Sequence, residues 1–163
     1  MPIEFAKFKI KKSSWWKVGN FDIFDENEDI VYKVQSRYKN FSLVTTLQSV
    51  NFNVEYKIEK AKQLKISYNL YEEGKLIAKI DKPINWNAKA FEIESAIVDP
   101  FILKGNMWSN EYRFIRNEEE FGIVSHKIWS NGTFGIAIKD GEHIPMILSV
   151  VIIVALLKAS GLA

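Results

Sequence analysis

Two histidines and no cysteine limit the metal and nucleophile chemistry open to this chain of 163 residues. Without a thiol there is no disulfide, no thiolate nucleophile and no cysteine-held metal, which fits a reducing compartment. His126 lies in the run VSHKIW and His143 just ahead of an apolar stretch. Neither has a carboxylate or a second histidine at ligand spacing. Ser125 and His126 are neighbours in an extended run, so their side chains point to opposite faces and form no local nucleophile and base pair. The run DENED offers Asp25, Glu26, Glu28 and Asp29 as oxygen ligands for calcium, but the glycine-turn spacing of an EF-hand loop is absent, and a solvated hairpin tip is the simpler reading. No phosphate-cradling glycine loop, dinucleotide fingerprint, nucleophile elbow or paired-carboxylate motif occurs. The expectation is a non-enzyme without a cofactor. The alternative, an undetected enzyme or small-ligand carrier, would need catalytic groups to converge from distant strands.

The stretch KFKIKKSSWWKV suggests a different chemistry, attraction to a charged surface. Lys9, Lys11, Lys12 and Lys17 flank Trp15 and Trp16. Lysines near a membrane attract anionic lipid by about 1 kcal/mol each. Tryptophan favours the interfacial zone. The competing reading is an edge strand whose lysines block aggregation and whose tryptophans plug one end of a fold. Net charge is only +2, from 22 basic and 20 acidic residues, so no bulk field recruits nucleic acid, and none is expected as a partner.

Strands must position these groups, because a period of two dominates the chain. VNFNVEYKIE places Val50, Phe52, Val54, Tyr56 and Ile58 on one face, and LKISYNLY places Leu64, Ile66, Tyr68 and Leu70 likewise. Less regular runs are FAKFKI, NFDIF, DIVYKVQ, KLIAKI, AFEIESAI, PFILKGN, EYRFIR, FGIVSHKIW and TFGIAIK. Together they predict eleven or twelve short strands, with reversals at Glu73-Gly74, Asn131-Gly132 and Asp140-Gly141 that imply antiparallel neighbours. Ser36 to Ser49 has no clean period and reads as a longer loop or an irregular strand pair. No repeat or linker divides residues 1–163, so a single domain is expected. The N-terminal residues lack the apolar run of a secretory signal, which points to a cytoplasmic protein.

The run MILSVVIIVALL is uncharged: Met146, Ile147, Leu148, Val150, Val151, Ile152, Ile153, Val154, Leu156 and Leu157 surround Ser149. As a helix it reaches about 18 Å, short of the ~30 Å of hydrocarbon that a span must cross. Pro145, His143, Glu142 and Asp140 precede it and Lys158 follows, so neither side lengthens it. A helix apolar around its whole circumference must be enclosed. Twelve strands tilted by about 40° close into a barrel of roughly 12 Å radius, room for one helix and a layer of side chains. The reading is a closed antiparallel β-barrel of about twelve strands, mainly β, enclosing a C-terminal hydrophobic α-helix. A membrane anchor is the rival, and length argues against a third option, a strand. Under the barrel reading no transmembrane span is expected.

GNFDIFDENEDIVYKV, YEEGKLIAKI, FEIE, ILKGNMWSNEYRFIR, GIVSHKIW and FGIAIKDGEHIPMILSVVIIVALL follow one another in an order and spacing that resembles the LURP-one-related branch of the tubby C-terminal-like superfamily, which includes the phospholipid scramblases. The resemblance implies a twelve-stranded barrel threaded by the last helix. It also implies a non-enzymatic binding or scaffold module, with an anionic phospholipid or phosphoinositide and an unnamed protein as partners, peripheral at the inner membrane surface. A scramblase-like protein anchored by the helix is the implied alternative. Tubby's lipid-binding positions have no counterparts in this sequence. Where scramblases are thought to bind calcium, this chain has only Asp140 and Glu142 as acids.

Overall fold

Alternation of apolar and polar side chains along short runs builds twelve strands. The computed structural model describes residues 4–12, 19–61, 66–83, 90–106, 111–125 and 134–159. The strands are β1 (Phe5–Lys12), β2 (Phe21–Phe24), β3 (Ile30–Lys39), β4 (Ser42–Ser49), β5 (Glu55–Lys60) and β6 (Ile66–Glu72). They continue as β7 (Lys75–Lys82), β8 (Ala90–Ser95), β9 (Phe101–Asn106), β10 (Glu111–Arg116), β11 (Glu119–Ser125) and β12 (Phe134–Lys139), followed by helix α1 (Ile144–Ala159). Each strand pairs antiparallel with its sequence neighbour, and β1 pairs with β12, so the sheet closes into a barrel with no free edge. In β12, for example, Phe134, Ile136 and Ile138 are buried while Lys139 is exposed.

The helix is the filling. Its residues from Met146 to Leu157 are 0 to 8% exposed, and they pack in one cluster with inward side chains such as Ile10, Ile23, Leu47, Leu103 and Phe114. The apolar segment is therefore wrapped by the protein's own sheet. At 16 residues it measures about 24 Å, and no helix among the described residues is long and apolar enough to cross a membrane. Its entry is capped by His143, whose Nδ1 accepts the Met146 N–H at 3.2 Å and whose carbonyl accepts that of Ile147. Ser149, the lone polar residue in the buried run, donates its hydroxyl to the Pro145 carbonyl at 2.7 Å and so leaves no polar group unmet.

Two expectations need correction. Of the two readings of Ser36 to Ser49 the strand pair holds and the loop does not, but the pair is regular: it is most of a hairpin, β3 against β4, in unbroken register from Tyr32↔Ser49 to Lys39↔Ser42. Its period was hidden because polar Ser36 and Thr45 take inward positions, where their hydroxyls meet at 2.8 Å and Ser36 also donates to the Gly19 carbonyl at 2.7 Å. Conversely, Val50 to Val54 is a turn, not the start of a strand. Asn53 has φ 53° there, which leaves Val50 and Phe52 exposed.

Four tyrosines make the fold sensitive to alkali. Burial raises the pKa of Tyr32, Tyr68 and Tyr112 above 10.0. Tyr56 is raised by burial first and then by the hydrogen bond it donates to Glu72 at 2.8 Å. A folded-state value above the unfolded one means that the unfolded chain loses its protons first. The tyrosine contribution is thus complete below pH 10.0 and is lost as pH rises through the folded values. Melting followed by circular dichroism is expected to show a steep fall in Tm above about pH 10, and Tyr56→Phe should make that fall shallower. An identical alkaline profile for wild type and Tyr56→Phe would contradict this account.

Candidate functional site

In an up-and-down barrel, connections alternate between two ends, so the parity of a connection fixes which end its residues occupy. The connections β2–β3, β4–β5, β6–β7, β8–β9, β10–β11 and β12–α1 lie where the helix enters. They contain Asp25, Glu26, Glu28 and Asp29, then Glu73, Asp99 and Glu118, then Asp140 and Glu142, with no lysine or arginine. The six connections of the opposite end, where the helix exits, read the reverse. Their sequences contain Lys17, Lys62, Lys65, Lys89 and Lys127 and no carboxylate, together with all five tryptophans of the chain. All of those lysines and tryptophans lie outside the described residues, and only the order of the strands in the sequence assigns them to these connections. The acids surround the positive pole of the helix dipole, which favours them there.

At the acidic end the carboxylates are partly occupied by their own surroundings. Asp25 Oδ1 accepts the backbone N–H groups of Asn27 at 2.9 Å and Asp29 at 3.1 Å, and Glu26 accepts that of Lys7. Glu28 pairs with Lys9 at 2.8 Å, and that hydrogen bond holds its carboxyl below the ordinary carboxylate value. Among the described residues no group of three or more His, Asp or Glu is placed to hold a metal ion.

The ion pair between Arg116 and Glu142 at this mouth is mostly covered. Arg116 Nη1 donates to both Glu142 oxygens at 2.8 and 3.0 Å, and its Nε reaches the Asp99 carbonyl at 3.3 Å. The guanidinium lies 4.5 Å from the Phe121 ring centre and 5.2 Å from that of Phe101. The pair ties the segment leading into the helix to the barrel rim. Beside it, an open cleft of about 410 Å³ on the outer wall is lined by Glu92, Glu94, Pro100, Phe101, Arg116 and Glu118, among others.

The exit end has its own projection. β2 stops pairing with β3 at Val34, and β5 stops pairing with β4 at Val44, so the hairpin tip from Arg37 to Leu43 runs beyond the last ladder pair on either side among the described residues. Arg37, Tyr38, Lys39 and Phe41 on it are exposed, with Tyr38 at 79% and Phe41 fully open to solvent. Spacing alone did not reveal these four. The signal that would have found them is connection parity, available once β3 and β4 are recognised as separate strands.

Of the residues singled out in sequence, Lys9 lies just past the middle of β1, and its ammonium is turned back toward Glu28 at the acidic mouth. Lys11 is exposed nearer the exit end, with Nζ 5.4 Å from the Phe24 ring centre. Lys12 ends β1, and its side chain, like Trp15, Trp16, Lys17 and His126, lies outside the described residues.

The sequence profile of the LURP-one-related family matches residues 6–155. The chain belongs to that family. This LURP-one-related barrel is similar to the crystal structure of an Arabidopsis thaliana protein, with a TM-score of 0.66 and 14% identity, over 92% of this chain and 89% of that one. At that identity the likeness concerns the fold, and it agrees with the closed barrel around a terminal helix. No curated protein matches the chain.

Proposed function

We propose that this barrel is a non-catalytic binding module that docks end-on against anionic phospholipid or phosphoinositide headgroups, peripheral to the cytoplasmic membrane surface. The sorting of acids into one set of connections and of lysines into the other, read from the sequence between the strands, carries the reading. The ends lie about 24 Å apart, the helix length. That is about three screening lengths at physiological ionic strength, so the acids scarcely weaken attraction at the lysine-bearing end. Tryptophans in the same connections suit the amphipathic headgroup zone. The acidic mouth would then face away from the lipid, toward a protein partner.

Co-sedimentation with phosphatidylserine vesicles tests this. The wild-type protein should pellet, and less so as salt rises. Joint replacement of Lys11, Lys12, Trp15 and Trp16 by alanine should weaken binding by more than about tenfold, at about 1 kcal/mol for each lysine. Absence of pelleting, or pelleting unchanged by those four replacements, would overturn the proposal.

A further inference from the structure

The turn at the tip of the β3–β4 hairpin departs from what its backbone favours. Asn40 and Phe41 have φ 52° and 64°, a two-residue turn with both central residues left-handed. Glycine is the favoured second residue there, as in the Glu73-Gly74 turn, where Gly74 has φ 82°. Asn117-Glu118 also uses a non-glycine, but a charged one in water. At Phe41 the backbone is strained and a large apolar ring is wholly exposed, so neither local conformation nor packing within the fold accounts for the residue. Its register neighbours supply the rest of the pattern. Arg37 and Lys39 face Val44 and Ser42 across the hairpin, and Tyr38 faces Leu43, so no carboxylate sits opposite either cation.

We infer that this tip is a membrane wedge: the Phe41 ring enters the interfacial zone of an anionic bilayer while Arg37 and Lys39 engage lipid phosphates beside it. The inference rests on the end-on docking proposed above and adds the element that penetrates. Shape favours lipid over a single-stranded nucleic acid. Stacking sites for bases lie in grooves that track a backbone, whereas this aromatic stands wholly exposed at the turn of a hairpin, beyond the last ladder pairs with its described neighbours.

The absence of cysteine allows a clean test, since Phe41→Cys carries one environment-sensitive fluorophore. Phe52→Cys is the control, because Phe52 is 81% exposed in a turn at the opposite, acidic end. On adding phosphatidylserine vesicles, the label at 41 should shift to the blue and brighten, and the label at 52 should not. Phe41→Gly should weaken vesicle binding by about tenfold, the lower end for losing a buried phenyl group. It should do so with a melting temperature at or above that of the wild type, so misfolding cannot explain the loss. Arg37→Gln and Lys39→Gln should each cost about fivefold. If the protein pellets with vesicles while the label at 41 stays unshifted, the wedge is wrong and the end-on reading survives. If nothing pellets, both fall. A shift at 52, or a shift at 41 produced by a single-stranded oligonucleotide and not by vesicles, also overturns the inference.

Discussion

Leu148→Asp and Ile152→Asp are each expected to abolish the folded protein, leaving insoluble or unfolded chain where the wild type gives a cooperative melt. Both side chains are 0% exposed and point into the sheet that surrounds the helix. Around them lie aliphatic and aromatic groups, and the sequence places no cation within the buried run. A carboxylate there loses the packing of the original side chain, about 2 to 5 kcal/mol, and adds several more for a buried charge without a partner. That sum reaches the whole stability of an ordinary domain, about 5 to 15 kcal/mol. Ser149→Ala, one residue away, should change stability by less than about 1 kcal/mol, because its hydroxyl meets only a helical carbonyl. A soluble Leu148→Asp protein with a wild-type melt would mean that the helix is not enclosed.

Glu142→Ala is expected to lower stability by about 2 to 4 kcal/mol, less than for a fully buried pair because the two side chains keep 18% and 15% exposure. For a chain of this size that corresponds to a fall in Tm of about 5 to 15 °C. The loss comes mainly from the arginine left behind. Arg116 would keep its stacking on Phe101 and Phe121 and its bond to the Asp99 carbonyl, while Nη1 joined Nη2 without a partner. Adding Arg116→Met, which keeps the apolar stem and removes the charge, should restore part of the loss. If the double variant is no more stable than Glu142→Ala alone, charge desolvation is not the cause.

The sequence made the barrel legible where one face of a strand is uniformly apolar, as in Tyr56 and Ile58 of β5 or the three alternating residues of β12. The helix was legible for the opposite reason, having no polar face to expose. It starts at Ile144, two residues before the uncharged run, because His143 caps it. β4 was not legible, since Thr45 and Ser49 occupy buried inward positions and satisfy themselves by local hydrogen bonds. VNFNV misled for the reverse reason: alternation persists through a stretch whose backbone turns at Asn53. The lysine and tryptophan stretch was visible as composition, but its place among the other connections was not. That place depends on counting strands correctly, and one missed strand reverses the end assigned to every later loop.

Closure of β1 onto β12 sets when the molecule can fold. The first strand's partner on one side is the last strand made, and the apolar plug is made later still, so synthesis must pass residue 139 before the barrel has its seam and residue 157 before it has its filling. Contacts this distant along the chain are slow to form. At about 5 to 20 residues per second, early hairpins such as β3–β4 wait for several seconds with their lining bare. A growing chain of this kind is expected to rely on chaperones, so that its yield on expression, compared with and without added holdase, depends more on translation speed and holdase supply than on the stability of the finished fold.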